Sequence, residues 1–232
     1  MSDVLATTPA RVAAAFVDFA QRRAPAAARA WLAEAMAGAA GGDAGHVAIA
    51  FADAARHLGR RAFALDEAER TVIASLGVAW SVERWQTDEL GRVALLLDTA
   101  HRVGVVALDD LVESLWARGD NRARQAVVRA LPLLPRPERW LVLALEAARS
   151  SMRPLFEAVA CDNPYPASRF HEIHFNELVL KCLRADLPLD RVVGLGGRAT
   201  PALTREVASY AAARRAAGRS VRPELWRFAS AS

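Results

Sequence analysis

The chain has 232 residues, of which 53% are hydrophobic and 24% are charged. This balance is typical of a folded globular protein and excludes an intrinsically disordered one. No uncharged apolar run reaches the roughly 20 residues that a membrane-spanning helix needs, and the N-terminus lacks the pattern of a signal peptide. We therefore expect a cytoplasmic protein without a transmembrane segment.

The basic residues are all arginine except Lys181, yet the formal net charge is only +4. The arginines are scattered among 26 acidic residues rather than gathered in one block. The densest basic cluster, between Arg214 and Arg222, has no interleaved aromatic residues on which bases could stack. A solvated surface therefore explains the arginines better than a nucleic-acid interface does.

Apolar residues recur at helical spacing along most of the chain, and capping residues or prolines mark where helices begin. Pro9 and Pro25 predict the first two starts, because proline is favoured in the first turn of a helix. The predicted helices are two over residues 9–40, one from Asp43 to His57, one from Asp66 to Ser75, one from Thr87 to Gly104, and four over residues 108–118, 120–132, 137–149 and 151–160.

These elements predict an all-α fold, because no convincing alternation of period two appears. The helices follow one another in pairs of roughly 35–40 residues, which is the spacing of HEAT-type repeats. No two pairs align well, so we expect an irregular helical array of antiparallel helix pairs with HEAT-like, α-solenoid character. Residues 1–232 are predicted to form one domain, with the Ala-rich residues 1–60 as an N-terminal helical cap.

The stretch from Cys161 to Arg219 departs from the surrounding composition, since it holds both tyrosines, both cysteines and the single lysine. Within it, residues 163–166 read Asn-Pro-Tyr-Pro and predict a rigid extended loop, because proline disfavours helical backbone at the residue before it. Such a loop would present the Asn163 amide and the Tyr165 ring. It would either position the next helix or bind a ligand.

A helix over residues 170–184 would separate its polar side chains into two groups. One group, a narrow wedge that predicts a solvated stripe with ion pairs, consists of His174, Glu177, Lys181 and Arg184. The other group, His171 and Asn176, falls within the apolar arc. A buried amide without a partner costs about 1–3 kcal/mol, so we expect Asn176 to bond to backbone, for example in the loop at 163–166, or to a ligand.

Metal-capable residues cluster at the start of that helix, but their spacing matches no helical metal motif. Residues 171–174 read His-Glu-Ile-His, which brings the second histidine one position too early for the zincin pattern, and no second Glu-x-x-His pair lies nearby. Cys161 and Cys182 have neither metal spacing nor an evident base. Residues 194–197, Gly-Leu-Gly-Gly, predict a helix-ending turn rather than a phosphate loop. We therefore predict no metal, no other cofactor and no catalytic residue.

The last predicted helix begins at Thr200-Pro201 and ends at Gly218. Tyr210 lies on its inner stripe, and Arg198 belongs to its basic outer surface. The six tryptophans are dispersed along the chain, which favours packing roles over a shared ligand pocket.

Four motifs in linked order resemble the signature of the EboA family of metabolite traffic proteins. They read RSSMRPLFEAVACDNPYP (149–166), FNELVLK (175–181), VVGLGGR (192–198) and YAAARRAAGR (210–219). The resemblance covers residues 85–226, with the signature tail at 149–219. It implies a bacterial operon that also encodes a membrane prenyltransferase, and a role in moving a secondary-metabolite precursor toward the periplasm. His171 and Glu177 depart from the family pattern, which argues against metal binding or catalysis by either.

Two classes of function remain. In the first, which we favour, the protein is a non-enzymatic helical adaptor or carrier that binds an operon-encoded partner, the prenyltransferase included, or a hydrophobic metabolite. It would act in the cytoplasm or peripherally at the inner membrane. In the second, it is a helical enzyme acting on an isoprenoid-like or aromatic metabolite. Asp109, Asp110 and Glu113 are spaced as in prenyl enzymes, but no second acidic motif partners them. The expected ligand or partner surface consists of Asn163, Tyr165, His171, Asn176, Lys181, Arg198 and Tyr210.

Overall fold

The computed structural model describes the backbone of residues 3–221 and the side chains of residues 9–221. Within that range there is no strand, and an isolated bridge joins Ala62 to Gln86. The α-helices are α1 (Asp3–Arg23), α2 (Ala26–Ala40), α3 (Ala44–Leu58), α4 (Glu67–Ser75), α5 (Thr87–Arg102), α6 (Val105–Arg118), α7 (Asn121–Ala130), α8 (Leu141–Arg149), α9 (Arg153–Ala160), α10 (Tyr165–Arg169), α11 (Glu172–Arg184), α12 (Leu195–Arg198) and α13 (Pro201–Ala216). Short 3-10 helices cover Pro137–Trp140 and Leu189–Arg191. The predicted all-α class is confirmed, whereas HEAT-like stacking stays a prediction.

Side-chain caps begin several helices where the sequence predicts them. Asp43 Oδ1 accepts a hydrogen bond from the backbone N–H of Gly45 at 2.8 Å, at the start of α3. Asp66 and Glu69 form a reciprocal capping box at the start of α4, with N···O distances of 2.8 and 3.1 Å. Because such signals are local, the predicted bounds of α3 and α4 agree with the structure.

Helix α5 is the centre of the first compact unit, residues 1–159, and α1, α2, α3 and α7 all pack against it. Every residue from Asp88 to Thr99 is buried. The approach of α3 is close, since a Cβ at Gly91 would overlap the side chain of Leu58. A helix surrounded in this way has no solvent face for its charged residues. Those residues must therefore find partners inside the unit.

The second compact unit covers residues 160–232. In it, α11 packs against α13 and against the 3-10 helix at 189–191. Phe175 and Val179 of α11 and Leu203 and Val207 of α13 are buried and form its core. Each unit thus has its own apolar interior, and the single domain and the N-terminal cap stay predictions. No helix in the described part of the chain has the length and apolar character that crossing a membrane requires.

Three local predictions are wrong. Helix α1 begins before Pro9, which lies inside it. Tyr165 and Pro166 are not extended but open α10, because a proline in the first turn lacks only an N–H that has no helical acceptor anyway. Residues 194–197 begin α12 rather than end a helix, with Gly194 in the left-handed conformation at φ 77°.

Candidate functional site

The connection between α9 and α10 is held by an ion pair within the second unit. Arg191 Nε and Nη2 donate to Oδ2 of Asp162 at 2.9 and 2.7 Å. Asp162 has the left-handed conformation at φ 53°, and its backbone N–H donates to the carbonyl of Arg191 at 2.7 Å. Aspartate is one of the residues that adopt this conformation most readily. The two residues therefore fix the direction in which the chain enters α10.

Asn163 and Tyr165, both predicted to bind a ligand or partner, are buried just after this ion pair, at 3% and 1% exposure. Oδ1 of Asn163 accepts the backbone N–H of Tyr165 at 3.0 Å, an Asx-type turn that begins α10. The Tyr165 ring packs edge-on against Phe170, with ring centroids 6.5 Å apart. Neither side chain is presented to solvent as the extended-loop prediction required.

His171 and Asn176 have different environments. His171 is exposed, not part of the apolar arc, because α11 begins after it and the residue is extended at φ −62° and ψ 157°. Asn176 is buried as predicted, but the expected backbone bond to its Oδ1 is not formed: that atom has no hydrogen-bond partner among the described residues. The two residues therefore do not form one polar site.

Lys181 and Cys182 lie on the later turns of α11, and Cys161 lies directly after the end of α9. Lys181 is half-buried, and desolvation lowers the pKa of its ammonium group. A hydrogen bond with Cys161, followed by burial, raises the pKa of the Cys182 thiol. Both thiols are buried and reduced, and buried thiols with raised pKa values are poor nucleophiles.

Arg198 and Tyr210 hold helix ends. Arg198 Nη1 and Nη2 each donate at 2.7 Å, to the carbonyls of Ala167 and Phe170, at the end of α10. The Tyr210 hydroxyl donates at 3.0 Å to the carbonyl of Leu183 in the last turn of α11. These bonds satisfy terminal carbonyls that a helix leaves unpaired. A binding role for the seven predicted residues stays a prediction.

The acidic groups that the sequence singled out for metal chemistry are dispersed or paired. No group of three or more His, Cys, Asp and Glu residues that could hold a metal occurs in the described range. Asp109 forms ion pairs with Arg136 and Arg139, and Glu113 with Arg139. Two of the three acids of the prenyl-enzyme-like motif, Asp109 and Glu113, are thus engaged by guanidinium groups, and Asp110 is exposed.

An open pocket of about 390 Å³ lies in the first unit, beside α4 and the segment that follows it. Its lining residues are Leu65, Arg70, Ile73, Ala74, Val78, Ala79, Trp80, Ser81, Val82 and Glu83. Ile73, Val78 and Val82 are buried apolar walls, and Trp80 is half-buried. Small-molecule sites are clefts of about 300–1,000 Å³ with mostly apolar walls and few polar groups. The pocket has these properties.

The sequence contains a pattern that indicates this pocket, but the prediction of helices along the chain did not use it. Residues 78–83 read Val-Ala-Trp-Ser-Val-Glu, and burial alternates along them, with Val78 and Val82 buried and Ala79, Ser81 and Glu83 exposed. Such alternation is typical of an extended segment with one apolar side. The apolar side of this segment, with Val78 and Val82, belongs to the pocket lining.

One ion pair borders the pocket. Arg70 Nη1 donates at 2.7 Å to Oε1 of Glu83 and at 2.7 Å to the carbonyl of Leu65. The side chains of Arg70 and Glu83 are 51% and 45% exposed. These two are the ionisable residues of the lining. The pocket therefore offers an apolar interior with a single guanidinium–carboxylate pair at its edge.

A buried network of charged residues lies at the start of α5, and the sequence analysis did not predict it. Asp88 accepts hydrogen bonds from Arg92 and from Nε of Arg122, the latter at 2.8 Å. Arg92 Nε also donates to the carbonyl of Phe51 at 2.6 Å. Burial lowers the pKa of Arg92, and Asp88 opposes this shift. The indication of this network was the apolar packing around α5, because it leaves the acidic residues of this helix without access to solvent.

The same network includes Glu89, whose Oε1 accepts from Arg129 Nε at 3.2 Å. The guanidinium of Arg129 lies 5.4 Å from the ring centroid of Trp85. Each described carboxylate of the network is thus matched by an arginine on α5 or α7. Removing one member of such a pair leaves an uncompensated buried charge, which is strongly destabilising.

Comparison with known proteins gives one family. The family model described as metabolite traffic protein EboA matches residues 12–230, nearly the whole chain and more than the 85–226 that the motifs indicated. No curated protein and no solved structure matches the chain significantly.

Proposed function

Because the chain belongs to the EboA family of metabolite traffic proteins, we propose that it is a non-enzymatic helical carrier. It holds a hydrophobic metabolite during export of a precursor toward the periplasm. The observation that carries this proposal is the open apolar pocket lined by Trp80 and the residues around it.

The character of the pocket supports binding with easy release. An aromatic ligand that buries about 150–250 Å² gains about 4–6 kcal/mol at about 25 cal/mol per Å². Because the loss of translational and rotational freedom opposes this gain, it sets only an upper limit on affinity, a dissociation constant no lower than about 0.04 mM. A carrier that must hand over its cargo benefits from affinity in this range.

The absence from the lining of an unpaired group that could act as general acid or base supports a carrier rather than an enzyme. Arg70 and Glu83 are bonded to each other, and the other lining residues are apolar except for Ser81. General acid–base catalysis needs a group whose proton is available to the substrate. The paired state of Asp109 and Glu113 likewise gives no support to a prenyl enzyme.

We further infer that the cargo passes to an operon-encoded partner, with the membrane prenyltransferase as the candidate, at the cytoplasmic side of the inner membrane. Within the predicted tail surface, His171 is exposed and Lys181 is half-exposed, so these two can reach a partner. The test is binding of the purified prenyltransferase in detergent to wild-type protein and to the His171→Asp variant. Equal binding by the wild type and the variant would show that His171 is not part of the interface.

The pocket is tested with an apolar fluorescent probe, N-phenylnaphthylamine, titrated into the full chain. Ala74 is exposed and lines the pocket, so A74F places a ring in the opening. Ala68 is exposed on the same helix but is not part of the lining, so A68F is the matched control. We expect saturable binding by the wild type, at least about tenfold weaker binding by A74F, and no change in A68F. Unsaturable binding, or equal loss in both variants, would refute the proposal.

A further inference from the structure

We propose that the pocket beside α4 selects aromatic molecules that carry one acidic group, and that Arg70 binds the anion. This inference rests on the proposed carrier function and names the class of its cargo. The proposal depends on the positive charge of Arg70 and on the apolar lining that includes Trp80.

The guanidinium of Arg70 is held in position but not saturated. Both of its side-chain hydrogen bonds, to Glu83 and to the carbonyl of Leu65, use Nη1. Nε and Nη2 have no hydrogen-bond partner among the described residues. That edge of a guanidinium matches a carboxylate, sulfonate or phosphate in bidentate geometry. Arg70 therefore presents a planar anion site at the border of an apolar pocket.

Glu83 does not block this site strongly. The Arg70–Glu83 pair is about half exposed on both sides, and exposed pairs of this kind contribute little to stability. The carboxylate of Glu83 fixes the guanidinium through Nη1 but repels a second anion. An arriving acid thus competes with Glu83 for the same positive charge, which keeps its affinity moderate and its release easy.

Trp80 supplies the preference for a flat ring. It is half-buried in the lining, and its indole forms no hydrogen bond within the described range. Together with aliphatic lining residues such as Ile73 and Val78, an indole ring favours an offset-stacked aromatic ligand. An aromatic body with one acidic substituent satisfies both the apolar interior and the anion site, whereas a cation would meet Arg70 unfavourably.

The experiment compares two probes with the same ring system. Anilinonaphthalene sulfonate carries an acidic group, and N-phenylnaphthylamine does not. In the wild type we expect the sulfonate to bind about tenfold more tightly than the neutral probe, with a preference that falls as sodium chloride is raised. E83Q should increase the affinity for the sulfonate several-fold, because it removes the competing charge.

Variants of Arg70 test the residue directly. R70M should abolish the preference for the sulfonate, and R70K should retain part of it, since lysine keeps the charge but not the planar edge. R56M is the control, because Arg56 is an exposed arginine on α3 outside the pocket lining. Thermal unfolding of each variant verifies that it is folded. If R70K keeps part of the preference for the sulfonate, the effect of R70M is due to the lost charge rather than to altered packing.

The outcomes are distinguishable from those of the carrier proposal. If the neutral probe binds and A74F blocks it, but R70M keeps the wild-type preference, the acid selectivity is refuted and the carrier function stands. If sulfonate binding is unaffected by A74F, the anion site lies elsewhere and the inference fails. If neither probe binds saturably, both proposals fail.

Discussion

Asp88, the more deeply buried of the two aspartates in α5, provides a direct test of how burial sets the strength of an ion pair. Within the described range, three aspartates pair with an arginine four residues later on the same helix: Asp18, Asp88 and Asp98. The pairs differ in exposure, with Asp18–Arg22 in solvent, Asp98–Arg102 in between, and Asp88–Arg92 buried at 0% and 1%. Replacing each aspartate by asparagine removes the same charge in the same helical geometry.

The expected losses follow the burial of the partners. In D88N the guanidinium of Arg92 loses its carboxylate while it remains inaccessible to water, and Arg122 loses the same carboxylate. Removing one member of a buried ion pair costs about 3–5 kcal/mol. An exposed pair at this spacing contributes only about 0.3–0.5 kcal/mol, so D18N should lose no more than that. D98N should lose an intermediate amount of about 1 kcal/mol.

Equilibrium unfolding in urea, followed by tryptophan fluorescence, measures these losses. Five of the six tryptophans, at 31, 80, 85, 116 and 140, belong to the first unit, so the emission is dominated by the unit that contains all three aspartates. The midpoint should shift without a change in slope if each variant unfolds as the wild type does. Losses for D88N and D18N that agree within about 0.5 kcal/mol would refute the argument that burial sets the magnitude.

Three further predictions concern packing and titration. G91A should lose about 1–3 kcal/mol in the same urea assay, because its methyl group would overlap a leucine of α3. G196A meets no atom and should gain about 0.4–1 kcal/mol in the second unit, measured by urea unfolding followed by far-UV circular dichroism. The hydrogen bond from Arg23 lowers the pKa of Glu69 in the folded state. The contribution of Glu69 to folding stability is therefore complete above pH ~4.3, the ordinary pKa of glutamate, and is lost as the pH falls through the lower pKa of the folded state. The acid slope of stability should therefore be shallower in E69Q. Because the pKa of Cys182 is raised in the folded state, the contribution of its neutral thiol to folding stability is complete below pH ~8.5 and is lost at higher pH. A thiol reagent at pH ~8 should label the protein only after unfolding, and rapid labelling of the native state would contradict this burial.

The sequence predicted most helix positions because their signals are local. Asp43, Asp66 and Thr200 cap the helices that they were expected to begin, each through a side-chain oxygen that accepts a backbone N–H. Such bonds depend on a few neighbouring residues and survive in any tertiary context. The family could be recognised for a related reason, since four motifs in order are more specific than any one.

The candidate sites were harder to predict because they depend on packing. The proline at 166 suggested an extended loop, but burial of Tyr165 and the bond from its N–H to Asn163 favour the helical turn. The pocket joins α4 to the segment 78–83, and the alternation in that segment does not by itself show which helix it packs beside. Charges at the start of α5 resembled ordinary helix-opening acids until the surrounding helices were known.

Lys181 has a practical consequence for measuring local stability. A protease that cleaves only after lysine meets a single susceptible peptide bond in this chain, between Lys181 and Cys182, in the interior of α11. A helical bond of this kind is cleaved when the segment opens, so the cleavage rate reports the opening of α11. One cut yields two fragments, residues 1–181 and 182–232, without a background of other products. Digestion in the presence of a ligand or a partner would therefore reveal whether that molecule stabilises the second unit, independently of the tryptophans of the first.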